Sequence, residues 1–264
     1  MEQTAIVNPL LRKAVLPGET FKLPSQGLFY THGELSDDVK NGEVHVKPMT
    51  AMDELVFKSP DMLFTGQGVI DVFARCIPQV LDAKALLSKD VDFLMVCLRM
   101  VTYGPNLQLS YKHSCEDAKE HNYEVGLQPI VRASKQIDPT TMADIFTVHL
   151  PTDQVVKLKP TTFGAMLSLN QDVDLSDSIP SLEDLKTSIT AVLVDVIDSV
   201  DGVSDKDQIR EWIGVVSAGH VRMLTDALTQ LGDWGASMKH STKCKDCGEL
   251  IDIEFSTNPV SFFS

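Results

Sequence analysis

The same order of sequence landmarks occurs twice in this chain, and the repetition constrains the fold more than any single element does. In each copy a short alternating strand ends in Lys-Pro, helical patterns follow, and a second strand leads through Lys-His-Ser to a cysteine. Lys47–Pro48 and Lys159–Pro160 mark the two strand ends, and the triplets contain His113 and His240. Because internal repeats set the architecture, this order predicts two related α+β units.

The first copy contains clear helix and strand patterns. Thr50 with Asp53 three residues later resembles a capping box, which predicts the start of a helix. A longer helix is predicted over residues 89–103, because apolar residues recur there with the helical period. After Gly104 the period changes to two, which predicts a strand that runs into Cys115.

The second copy is longer, mostly through the acidic stretch 171–180. One helical stripe is predicted after that stretch, formed by Leu182, Leu185, Ile189, Val192, Val196 and Val200. Further helices are predicted to begin at Ser204 and at Ser217, the latter ending at Gly232. A return strand over 250–255 then completes a hairpin.

These landmarks divide the chain into three regions. Residues 1–42 carry frequent Pro and Gly, which predicts an extended N-terminal arm that either wraps its own domain or reaches onto a partner. Residues 43–150 are the first α+β repeat. Residues 151–264 are the second repeat, with a Cys-x-x-Cys hairpin and an apolar C-terminal tail. Each unit is expected to consist of a strand, a helical segment and a terminal β-hairpin.

Composition and motifs disfavour several classes of function. The net charge of −14 disfavours nucleic acid as a partner, since Lys and Arg supply most of the affinity for phosphates. The sequence has no apolar run long enough for a membrane span and no signal-peptide pattern, so we expect a protein that stays in the cytoplasm where it is made. It also lacks a phosphate loop, His-Glu-x-x-His and Gly-x-Ser-x-Gly. We therefore expect no enzyme, no catalytic residues and no small-molecule substrate.

The cysteines fall into two classes. Their odd number and the absence of an export signal argue against a disulfide framework. Cys76 and Cys97 lie in apolar surroundings, which predicts small buried side chains. Cys244 and Cys247 form a metal-knuckle pattern, a Cys-x-x-Cys turn that can grip one ion, and Gly248 permits the positive φ of such a turn.

One knuckle supplies two ligands, whereas structural zinc takes four. The duplicated hairpin offers the others, because Cys115 lies at the equivalent tip and His121 follows six residues later. The ligands predicted for one structural zinc are Cys115, His121, Cys244 and Cys247, with His113 and His240 as reserve ligands. The alternative is a knuckle with free thiols beside a solvated His121. Four protein ligands would leave no open position for a substrate, so the metal also indicates structure.

Several segments resemble one known family. They are the strand 43–50, the helix end 98–104, the hairpins with Cys115 and with Cys244 and Cys247, and the closing residues 258–263. Over roughly residues 25–264 they resemble the baseplate hub and hub-assembly proteins of T-even-type contractile phages. The resemblance implies a role in building the central hub of the tail baseplate, through contacts with other baseplate or hub proteins. It also implies the host cytoplasm during assembly, and the virion if the protein remains there.

Phe262 and Phe263 near the end of the chain are candidate partner-binding residues, since buried aromatic rings are typical hot spots of interfaces. The alternative is that both rings fold back onto the protein's own sheet. Two other functions are open: a zinc-ribbon regulatory protein, for which a basic face would be needed, and a metal-dependent hydrolase, for which an open coordination position would be needed.

Overall fold

Helices and short antiparallel strands alternate along the chain, which confirms the mixed α and β class. A computed structural model describes residues 17–30, 33–59, 62, 65–115, 119–140, 146–172, 190–230 and 234–263. Among the helices within these ranges, none has both the length and the apolar character that a membrane crossing requires.

The described part of the N-terminal arm packs on the chain's own core. Strand β1 (Glu19–Lys22) pairs antiparallel with β2 (Glu43–Val46), and Phe21 lies opposite Val44. Phe21 is 9% exposed and Leu23 is fully buried, and both belong to the first hydrophobic core. A Pro- and Gly-rich segment does not form a stable structure by itself, so the pairing with β2 is what holds this part of the arm in place.

Within the described residues, three helices lie between β2 and the next strand. The first is α1 (Ala51–Phe57), and the predicted capping box is present at its start: the side chains of Thr50 and Asp53 each accept a hydrogen bond from the other residue's backbone N–H. Helix α2 is Gln67–Cys76, and α3 is Ser88–Tyr103, which ends at Gly104 as predicted. Helix α3 is buried on most of its surface and forms the centre of the first core.

Two β-hairpins close the two halves of the sequence, as predicted. Strands β3 (Asn106–Lys112) and β4 (Glu120–Gly126) form the first, and the short helix α4 (Leu127–Arg132) follows directly. The second hairpin joins β8 (Lys239–Lys243) to β9 (Leu250–Glu254).

The second core surrounds a three-stranded antiparallel sheet of β5 (Thr147–His149), β6 (Val155–Leu158) and β7 (Ile197–Val200). Helix α5 (Phe163–Asp172) follows β6, and residues 190–196 are helical up to the start of β7. Two further helices, α6 (Lys206–Val215) and α7 (Ala218–Gln230), follow the sheet. Their buried residues pack with those of the sheet into one cluster.

The predicted helical stripe up to Val200 is wrong at its C-terminal end. Residues 197–200 are strand β7 because they pair with β6, with Val200 opposite Val156. The Nζ of Lys206 donates to the carbonyls of Val194 and Ile197, which satisfies carbonyl groups near the end of the helix. The earlier stripe residues Leu182, Leu185 and Ile189 lie outside the described residues, as do Gly232 and most of the acidic stretch 171–180.

The two later helices begin close to their predicted starts. Helix α6 is capped by Asp205, one residue after the predicted Ser204, and the Asp205 side chain accepts from the N–H groups of Asp207 and Gln208. Helix α7 begins directly after Ser217, whose hydroxyl accepts from the N–H of His220. In both cases a short polar side chain satisfies free N–H groups of the first turn.

The C-terminal part of the chain returns to the first core. Residues Met238 and Phe255, which flank the second hairpin, pack against this core, and the short helix α8 (Pro259–Phe262) brings Phe262 and Phe263 into it. Each half of the sequence ends in a hairpin, but strand β7 interrupts the helices of the second half, and residues of both halves share the first core. The division into an arm and two repeats stays a prediction.

A buried polar cluster ties the arm to both cores. The hydroxyl of Tyr30 donates to Asp90 Oδ2 at 2.6 Å and accepts from the N–H of Leu87 at 3.0 Å. The N–H of Ser25 donates to Asp90 Oδ1 at 3.1 Å, and the side chain of Asp90 is fully buried. Tyr30 contacts hydrophobic residues of both cores. Polar groups can be buried at low energetic cost when each of them forms a hydrogen bond, as these groups do.

Asp90 provides a test of this packing through pH. Burial raises the pKa of Asp90 to about 6, and the hydrogen bonds from Ser25 and Tyr30 offset only part of that effect. In the unfolded chain the pKa of an aspartate is about 4. The contribution of Asp90 to the free energy of unfolding is therefore complete below that pH and is lost as the pH rises through about 6.

We expect the free energy of unfolding of the wild type, relative to that of the Asp90→Asn variant, to fall by roughly 2 kcal/mol between pH 4 and pH 7. Asparagine cannot ionise, so the variant lacks this component, while its altered hydrogen bonding adds an offset that does not depend on pH. Urea unfolding at several pH values measures the difference. Parallel stability curves for the two proteins would contradict the buried placement of the carboxylate.

Candidate metal centre

The two hairpins meet face to face near their tips. Tyr123 on β4, Ile251 and Ile253 on β9, and Cys244 form a small apolar cluster separate from the two main cores. The Tyr111 ring packs edge-on against Tyr123, with 6.4 Å between ring centroids. Because side chains alternate between the two faces of a strand, the strand residues of this cluster lie on the face of each hairpin that is turned toward the other hairpin.

Four side chains with metal-binding atoms converge at the tips. His113 and Cys115 follow the end of β3, and Cys244 and Cys247 follow the end of β8. Their candidate ligand atoms all lie within 4.8 Å of one another. Each hairpin therefore contributes two of the four groups, although Cys115 and Cys244 are 129 residues apart in sequence.

The distances fit tetrahedral coordination by sulfur and nitrogen. Zinc–ligand bonds of about 2.3 Å to sulfur and about 2.0–2.1 Å to nitrogen imply tetrahedron edges of about 3.8 Å between sulfurs and about 3.6 Å between sulfur and nitrogen. The Sγ atoms of Cys115 and Cys244 are 4.0 Å apart, and Cys247 Sγ is 3.5 Å from His113 Nδ1. The four residues are thus compatible with a metal site.

The turn between Cys244 and Gly248 has the geometry of a knuckle. Gly248 has a φ of 77°, and its N–H donates to the carbonyl of Cys244 at 3.0 Å. Hydrogen bonds from the backbone N–H groups of Cys247 and then of Asp246 lower the pKa of the Cys244 thiol to about 6. Partial burial, followed by the two neighbouring thiols, raises the pKa of Cys115 to about 11. Metal binding would displace the remaining thiol protons, since thiolates are the ligands.

Three of the four predicted ligands are in the cluster, and the fourth member is the reserve ligand His113. His121 lies within β4, where its register partner is Tyr111, so it is on the ladder rather than at the tip. Its Nε2 is 2.8 Å from Asp246 Oδ1. His240 is paired with Ile253 inside the second hairpin. The His-x-Cys spacing directly after a strand could have indicated His113, because it places both side chains beyond the last strand pair.

The family model described as T4 bacteriophage base plate protein matches residues 28–264 of the chain. The chain belongs to this family. The match confirms the expected resemblance to T4-type baseplate proteins. No curated protein and no solved structure matches the sequence.

In this baseplate protein the matched region includes both hairpins, the four clustered side chains and the tail. The structure places Phe262 and Phe263 in the protein's own first core, with 1% and 3% exposure. The Phe263 ring centroid is 4.9 Å from that of Phe57, and the Phe262 ring stacks on Phe255 at 6.1 Å. This placement is the intramolecular alternative. A docking role for the two rings stays a prediction, and it would require the tail to leave the core.

Proposed function

We propose that this baseplate protein acts through protein–protein contacts, as a component of the baseplate hub or as a factor in its assembly, and that it catalyses no reaction. The family match over residues 28–264 is the observation that carries the proposal. The hub assignment rests on the resemblance of its strand, helix-end and hairpin sequences to hub and hub-assembly proteins. Its partners would be other baseplate or hub proteins, met in the host cytoplasm during assembly.

The surface offers features that suit such contacts. Met52 and Leu55 lie three residues apart on α1, so they project from adjacent positions, and they are 70% and 60% exposed. Leu250, at the start of β9, is 74% exposed. The net charge of −14 would attract basic surfaces of a partner and speed association with them.

Virion composition and baseplate assembly test this function together. We expect particles made without this protein to lack complete baseplates in electron micrographs, because a hub component or assembly factor is needed before the surrounding parts can join. Mass spectrometry of purified wild-type virions then separates the two roles: a component is retained in the particle, and an assembly factor is not. Normal baseplates in the absence of the protein would contradict both roles.

We propose further that the four clustered side chains bind one structural zinc ion. Three thiols and one imidazole are a ligand set that zinc prefers, and the Cys115–Cys244 and Cys247–His113 separations are close to the edges of its tetrahedron. All four positions would be filled by protein, which supports a structural role and disfavours a hydrolase. The ion would join the two hairpins at their tips and so connect distant parts of the sequence.

Metal content and metal removal test the zinc proposal. We expect protein purified without chelator to contain one zinc per chain, and removal by a strong chelator to lower the melting temperature, because bound metal stabilises the folded state. Cys115→Ser should lose the metal, whereas Ser114→Ala, at the exposed neighbouring position, should retain it. A zinc content near zero, together with a harmless Cys115→Ser substitution, would contradict the proposal.

A further inference from the structure

We infer that His113 is the fourth metal ligand, and that His121 is a positioning residue that holds the knuckle in place through Asp246. The inference rests on the proposed zinc binding and assigns separate roles to two histidines of the same hairpin. Asp246 and Lys245 are the two residues between the knuckle cysteines. We call their contacts with the first hairpin the knuckle latch.

Asp246 is held by the first hairpin through both of its carboxylate oxygens. Oδ1 is 2.8 Å from His121 Nε2, and Oδ2 accepts from the N–H of Lys119 at 3.0 Å. The side chains of His121 and Asp246 are 28% and 23% exposed, so solvent competes only in part for these bonds. The carboxylate thereby fixes the middle of the knuckle against the beginning of β4.

Lys245 makes the second half of the latch. Its backbone N–H donates to the hydroxyl of Tyr123 at 3.2 Å, and its Nζ lies 5.0 Å from the centroid of the Tyr123 ring and donates to the carbonyl of Asn122. Both residues between Cys244 and Cys247 are therefore bound by consecutive parts of β4. A generic Cys-x-x-Cys turn needs none of these contacts, since its own backbone forms the turn.

The knuckle latch should raise the affinity for a metal ion, because the ligands come from two hairpins whose tips must be held together. Without it, binding an ion would also have to order one hairpin tip against the other, and that ordering lowers affinity. With it, Cys244 and Cys247 already lie near His113 and Cys115. His121 cannot easily do both tasks, since its Nε2 is engaged by Asp246 and its position in β4 lies outside the cluster.

Cobalt and zinc binding to the full-length protein can separate a ligand from a positioning residue. Cobalt(II) absorption reports the number and type of ligands, and competition with a chromophoric chelator gives the affinity for zinc. We expect His113→Ala to change the cobalt spectrum. His121→Ala and Asp246→Ala should keep the wild-type spectrum and bind zinc about 10–100-fold more weakly, as is typical when outer-shell partners are lost.

Two further variants serve as rescue and control. Asp246→Asn retains an oxygen that accepts a hydrogen bond, so it should recover much of the affinity lost in Asp246→Ala. Asp252 lies on the same hairpin, where its carboxylate accepts a hydrogen bond from the hydroxyl of Ser241 on the opposite strand. Asp252→Ala removes this carboxylate and should leave the zinc affinity unchanged. Circular dichroism of each metal-free variant checks that the fold is retained.

The outcomes distinguish this inference from the zinc proposal. Wild-type protein that binds neither cobalt nor zinc would overturn the proposed metal site and the inference with it. Wild-type binding with a cobalt spectrum altered by His121→Ala but not by His113→Ala would overturn the assignment of roles alone. Equal zinc affinities for Asp246→Ala and Asp252→Ala would overturn the latch while leaving the metal site intact.

Discussion

The contact between the two hairpin tips is the interaction on which the arrangement of this chain depends. It joins residues 129 positions apart, and it combines an apolar cluster around Tyr123 with four convergent side chains that could hold a metal ion. Neither hairpin could be stable alone, because a two-stranded ribbon is marginal in water. Each hairpin therefore depends on the other and on the core beneath it.

The C-terminal tail packs in the same core as the described part of the N-terminal arm. The second hairpin starts beyond the second core and ends in the tail, whose aromatic rings fill the first core. At the opposite end of the sequence, Tyr30 and Asp90 link the arm to the helix at the centre of that core. Residues of the arm, the central helix α3 and the tail therefore pack in one core.

Much of the fold could be predicted from local patterns in the sequence. The capping box at Thr50, the end of α3 at Gly104 and both hairpins follow from side-chain period, capping and glycine conformation. Strand β7 could not be predicted in this way, because Val200 continues the helical stripe of the preceding residues and only pairing with β6 makes residues 197–200 a strand. Tertiary pairing decided that segment.

In the candidate metal centre, too, part of the arrangement could be predicted from local patterns and part depends on long-range pairing. The knuckle pattern gave Cys244 and Cys247, and the repeated hairpin gave Cys115. Choosing between His113 and His121 required the strand register, which sequence spacing alone does not provide: one follows the last pair of the ladder, and the other lies inside it. The position of the tail rings also depended on packing that no local pattern encodes.

X-ray absorption spectroscopy at the zinc edge tests the central claim most directly. If the two hairpins are joined by one ion bound through His113, Cys115, Cys244 and Cys247, the first shell will contain three sulfurs at about 2.3 Å and one nitrogen at about 2.0–2.1 Å. A shell of oxygen and nitrogen atoms only, or one with just the two sulfurs of the knuckle, would show that the hairpins do not share an ion.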